Sequence, residues 1–164
     1  MPQALVLGVG NVLMGDEGVG VHVARRLAEG TLPAGVSALD GGTGGFHLLS
    51  LFADYDPLVI VDATLDGQPA GTVRVTEPRY PSDFPPTLAV HDIGLRDLVE
   101  SAALVGRRPR IWLVAVSIER LQPMTIMLSP SVAAAVADVA ALAVALAARG
   151  LRTAAGPPLA AVPG

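Results

Sequence analysis

Short apolar runs alternate with helix-spaced stripes along this chain. Residues 4–9 are almost wholly apolar and predict a buried first strand. Val19, Val23 and Leu27 then fall on one stripe, which predicts a helix over 17–29. A second strand over 36–40 ends at Asp40, and the turn Gly41-Gly42-Thr43-Gly44-Gly45 leads into a helix over 46–54. The third strand, 58–61, ends at Asp62. Thr72, Arg74 and Thr76 alternate with Val73 and Val75, the period of a half-exposed edge strand over 71–76. A proline-rich loop, 77–90, leads to His91 and a helix over 92–105. Residues 111–116 are apolar throughout and predict a central strand. Ser129-Pro130 is a start signal for a C-terminal helix, and Arg149-Gly150 is a stop signal.

Strands alternating with helices, the strands apolar on both faces, predict an α/β fold with a mainly parallel sheet covered on both sides. Such sheets bind ligands at the carboxyl ends of their strands. Asp40 and Asp62 end strands, Glu17 opens the helix after the first strand, and His91 opens the helix that feeds the fifth. Topology therefore gathers Glu17, Asp40, Asp62 and His91 at one rim.

The bulk composition narrows the function. At 164 residues, the chain is expected to form a single domain over 1–150 with a Pro/Gly/Ala-rich tail over 151–164. With 51% hydrophobic and 16% charged residues it is globular, and its net charge of −4 argues against a nucleic-acid partner. The absence of cysteine excludes disulfides, thiolate metal sites and a cysteine nucleophile. No basic-then-apolar leader precedes the first strand, so the cytoplasm is the expected location. Residues 132–148 are nearly all apolar, but most are alanine and Asp138 lies among them. The expectation is a buried helix of a soluble domain, with no membrane insertion.

The candidate chemistry begins at the first turn. Gly8-x-Gly10 after an apolar strand is the opening of a dinucleotide fingerprint, and Asp40 stands where a ribose-binding acid belongs. However, the third glycine should fall at position 13, which is Leu13, and the next helix opens on Asp16 and Glu17. Two carboxylates at a helix N-terminus repel a pyrophosphate and favour a cation. One acid suffices as a cap, and Asp16 fits that role, which leaves Glu17 as the functional candidate. His22 and His47 lie within predicted helices and read as ordinary histidines. His91 sits at a helix start, where the field disfavours its charged form, and neutral imidazole is a metal ligand. Two carboxylates with one imidazole match a divalent ion such as zinc or nickel. No serine or cysteine lies in a nucleophile motif, which argues against an acyl-enzyme.

Four stretches resemble the hydrogenase maturation endopeptidases. They are Leu7-Gly8-Val9-Gly10-Asn11 with Gly15-Asp16-Glu17-Gly18-Val19-Gly20, Asp40-Gly41-Gly42-Thr43, Val59-Ile60-Val61-Asp62-Ala63, and His91-Asp92-Ile93-Gly94-Leu95. The resemblance spans about residues 3–150, and Met127 stands where a glycine is expected before Leu128-Ser129. It implies a three-layer α/β/α sandwich whose five-stranded, mostly parallel sheet has one antiparallel strand. It implies a protease that removes the C-terminal extension from the large-subunit precursor of a nickel-iron hydrogenase. The family's metal-contacting and catalytic residues fall on Glu17, Asp62 and His91, and its substrate-recognition segment on Asp40, Gly41 and Gly42. Nickel is expected to arrive in the precursor, with no organic cofactor. A non-cleaving protein that docks the precursor, a protease for a different precursor and a dinucleotide-binding domain are the competing readings.

Overall fold

All five apolar runs form strands: β1 (Ala4–Gly8), β2 (Val36–Asp40), β3 (Leu58–Thr64), β4 (Val73–Thr76) and β5 (Ile111–Ser117). In this computed structural model, which describes residues 2–85 and 95–154, they build one sheet in the order β2-β1-β3-β5-β4. β1 pairs in parallel with β2 and β3, and β3 with β5, while β4 runs antiparallel along β5. β4 lies at the edge as the alternating pattern predicts, but all four of its residues are exposed, the two valines included, where the pattern predicts half-exposure.

Among the described residues, four helices, α1 (Val19–Ala28), α2 (Leu51–Asp54), α3 (Leu95–Leu104) and α4 (Pro130–Ala154), cover the sheet. Alternation along each strand sends successive side chains to opposite layers. Val59, Val61 and Ala63 join Val19 and Val23 of α1 and Val139 and Ala143 of α4 in one core. Leu58 and Ile60 join Phe52 of α2 and Leu95 and Leu98 of α3 in the other. The result is the three-layer α/β/α sandwich with one antiparallel strand.

Several boundaries differ from the sequence pattern. β1 stops at Gly8, because Gly10 turns the chain with φ +147°. The first helix begins at Val19, not at 17; Glu17 lies in a preceding 3-10 turn, Gly15–Gly18. β3 does not end before Asp62 but runs through it to Thr64, since β5 pairs alongside as far as Thr64↔Ser117. The segment over 46–54 divides into a 3-10 turn, Phe46–Ser50, and the single turn of α2. α3 begins at Leu95, and residues 92–94 of the expected helix lie outside the described residues. β4 starts at Val73, because Gly71 takes φ +89° and breaks the extended run.

The largest departure is at the C-terminus, where α4 passes through Gly150 and continues to Ala154. Gly150 is not a cap. A Cβ there would meet Pro57 at 2.4 Å and Trp112 at 2.8 Å, so the glycine lets the helix lie close against the sheet. By length and composition, α4 has a stretch, Pro130–Thr153, apolar enough to cross a membrane. It lays only a stripe, Val132, Val139, Ala140, Ala143 and Ala147, into the core, so it is half-buried and not enclosed.

Two glycines set the position of the first turn. A Cβ on Gly8 would come within 1.9 Å of the Gly20 carbonyl oxygen, and one on Gly20 within 2.2 Å of that of Val61. The start of α1 thus lies directly on β1 and β3, which holds the acidic turn before it at the carboxyl edge of the sheet.

Candidate active site

The glycine turn after β1 spends its N–H groups internally. Val9 N–H donates to Val61 O at 3.0 Å and Gly10 N–H to Gly42 O at 2.7 Å. Asn11 N–H donates to Glu17 Oε2 at 2.6 Å, and Leu13 N–H to Asn11 Oδ1 at 3.0 Å. A phosphate cradle needs such groups aimed outward, so the dinucleotide reading fails on geometry as well as on charge.

Glu17 is 2% exposed, in the 3-10 turn that packs against β3. Asp62 is fully buried within β3, where its Oδ1 accepts Ala63 N–H at 2.8 Å. Strand alternation puts Asp62 on the α3 side of the sheet, with Leu58 and Ile60. Two buried carboxylates therefore stand on neighbouring elements at the carboxyl edge of the sheet. Asp16 has a different job from the expected cap of α1. Its Oδ1 accepts Ser129 N–H at 2.6 Å, and its own N–H donates to Gln122 Oε1 at 2.9 Å. It ties the first turn to the segment after β5, and α1 has no side-chain cap.

Asp40 ends β2, with β1 between it and β3, so it stands off from Asp62. Its Oδ2 accepts Arg25 Nε–H at 2.9 Å and its Oδ1 accepts Gly42 N–H at 2.9 Å. Asp40 shapes the glycine turn and does not cap the helical segment that follows. Gly41 is buried and donates its N–H to Gly8 O at 2.8 Å. Gly42 has φ +57°, and no atom of the described residues lies within 4 Å of where its Cβ would be. Asp40 is thus exposed and Gly42 half-exposed, while Gly41 knits the turns after β1 and β2.

His91 lies outside the described residues. Among the described residues, no group of three His, Cys, Asp or Glu side chains is placed to hold a metal. His47 is exposed in its 3-10 turn. His22 lies on α1; burial and the nearby Arg25 charge lower its pKa, favouring the neutral imidazole.

The same edge holds polar groups that the sequence pattern does not single out. Thr64 and Ser117 pair across β3 and β5, are 3% and 2% exposed, and share the strand parity of Asp62. Ser117 Oγ–H donates to Asp66 Oδ2 at 3.1 Å. Burial raises the Asp66 pKa, but hydrogen bonds from Gln68 N–H and Ser117 and the Arg74 charge outweigh it, for a net lowering. Nothing local marks Thr64 or Ser117, since β-branched and small residues are ordinary in strands.

Comparison with known proteins identifies the family and the fold. The hydrogenase maturation protease family matches residues 21–146. The chain is 38% identical over 136 residues to the hydrogenase 2 maturation protease of Escherichia coli K12, covering 80% of this chain and 82% of that one. It is 35% identical over 153 residues to the hydrogenase expression/formation protein HupM of Azotobacter chroococcum, covering 85% and 72%. Among solved structures, the hydrogenase maturating endopeptidase HybD of E. coli superposes with a TM-score of 0.77 at 34% identity, covering 93% and 94%.

Proposed function

The chain belongs to the hydrogenase maturation protease family, and from that premise we infer that it is an endopeptidase that removes the C-terminal extension of a nickel-iron hydrogenase large-subunit precursor. We assign the working site to Glu17, Asp62 and His91, with Asp40, Gly41 and Gly42 as the substrate-reading turn. The observation that carries this assignment is the burial of Glu17 and Asp62 at the edge where parallel sheets bind ligands. Two carboxylates on one edge suit a cation.

The cation is the nickel carried by the precursor, and cutting follows its insertion. Carboxylate and imidazole donors hold such an ion weakly, because this chain has no cysteine thiolate of its own. Weak donors read the metal without extracting it. Hydrolysis needs a water molecule at the scissile carbonyl, and the buried carboxylates are groups able to accept its proton.

The test compares nickel-loaded and nickel-free precursor. Wild type should cut the loaded form only, and Glu17→Gln and Asp62→Asn should each lower the rate by about 100-fold or more. Full activity in both variants would remove the site assignment. Equal cutting of both precursor forms would remove nickel reading.

A further inference from the structure

Five large apolar side chains are exposed in the two segments that follow β1 and β5. Leu13 is 54% exposed, Leu121 38%, Met124 89%, Ile126 64% and Met127 73%. Large apolar side chains left in water on neighbouring segments suit a docking surface. Hydrogen bonds join the two segments that carry it. Thr125 N–H donates to Leu13 O at 3.0 Å and Gly15 N–H to Thr125 O at 2.6 Å, with a parallel bridge between Met14 and Thr125.

Met124 is the one non-glycine residue with a left-handed backbone among the described residues, at φ 61°. That conformation is unfavourable for a side chain with a Cβ. With Met124 almost wholly exposed, little contact inside the protein offsets it. The strain holds an apolar side chain out towards solvent. Methionine is well suited to such a surface, because its flexible thioether adapts to a partner.

We propose that this rim, Leu13 with the loop 121–127, docks the folded body of the hydrogenase large-subunit precursor while its C-terminal segment lies at the carboxylates. The proposal rests on the function inferred above, which requires the precursor to enter at this edge. The rim adjoins the turn that carries Glu17. It follows β1 and β5, and Asp16, next to Glu17 in the chain, binds both Gln122 and Ser129. Contact with the rim therefore bears on the turn that presents Glu17. Charge points the same way. Glu119 and Arg120 flank the rim with opposite signs on a chain of net charge −4, which does not suit an anionic lipid surface. The occupant matched to the site is a protein that brings a cation to two carboxylates and an apolar face to the rim.

The test measures KM and kcat on nickel-loaded precursor, together with Tm. The double substitution Ile126→Ser with Met127→Ser should raise KM by about 10-fold and leave kcat within about twofold. Met124→Gly should also raise KM without lowering Tm, because glycine accepts that backbone freely. The control pair Leu104→Ser with Val105→Ser removes side chains that are 84% and 64% exposed near the end of α3, at the opposite edge, and should keep wild-type KM. Wild-type KM in the rim variants, or the same rise in the control pair, would overturn the proposal while leaving the protease function intact. Unchanged KM with loss of a concentration-dependent dimer would give the rim to a second copy of this chain. A wild-type protein that cuts no precursor would overturn the function itself.

Discussion

Asp16 and Glu17 are adjacent acids, yet the fold gives them unrelated tasks. Glu17 closes on Asn11 within its own turn, whereas Asp16 reaches Ser129, 113 residues along the chain. With Asp16 only 3% exposed, its removal would leave the Ser129 N–H without its acceptor in a poorly hydrated place. Asp16→Ala should therefore cost about 1–3 kcal/mol. For a chain of this size that lowers Tm by roughly 3–10 °C. Asp16→Asn keeps an acceptor oxygen and should lose much less. A thermal melt of the two variants checks this, and equal Tm values would show that Ser129 finds another partner. Nothing near Asp16 in sequence reveals the role, because its partners belong to the far end of the chain. The separation of Asp40 from Asp62, by contrast, follows from strand order alone.

At the scale of elements, the strands were legible because burial dictates their pattern: β5 is apolar on both faces and sits inside the sheet, while β4 alternates and lies at its edge. What the pattern missed were ends decided by tertiary contact. β3 continues through Asp62 because β5 offers partners there, and α4 continues through Gly150 because close packing, not termination, is what the glycine provides. Gly150→Ala separates these two meanings. In an exposed helix interior the change would stabilise by about 1 kcal/mol. Here the new methyl meets the Pro57 ring and Trp112, itself 9% exposed and capped by the Arg110 guanidinium at 5.1 Å from its ring centre. Overpacking of that kind costs about 1–3 kcal/mol, so the variant should be less stable than wild type. A rise in Tm would mean that α4 shifts outward freely and that its last turns are loosely held.

Across the whole molecule, the fold brings together groups that are distant in sequence. The turn after β1 carries Glu17, β3 carries Asp62, and the segment after β5 braces that turn through Gln122 and Ser129. If those carboxylates and His91 receive the precursor's metal, the isolated protein should purify with little nickel, since the ion belongs to the substrate. Added nickel should nonetheless bind the folded chain in preference to the unfolded one. At about 100 times its dissociation constant it would stabilise the fold by about 2.7 kcal/mol. That corresponds to a rise in Tm of roughly 5–10 °C. Glu17→Gln, Asp62→Asn and His91→Ala should each remove most of this rise. Asp40→Asn should keep it, because Asp40 lies across β1 and already answers to Arg25 and Gly42. If Asp40 reads the substrate, the same variant should still cut the precursor poorly or choose differently among precursors. An undiminished rise in Glu17→Gln would place the ion elsewhere, and normal cutting by Asp40→Asn would leave that residue a purely structural part of the glycine turn. The two readouts divide the edge into the part that holds the ion and the part that recognises the chain bringing it.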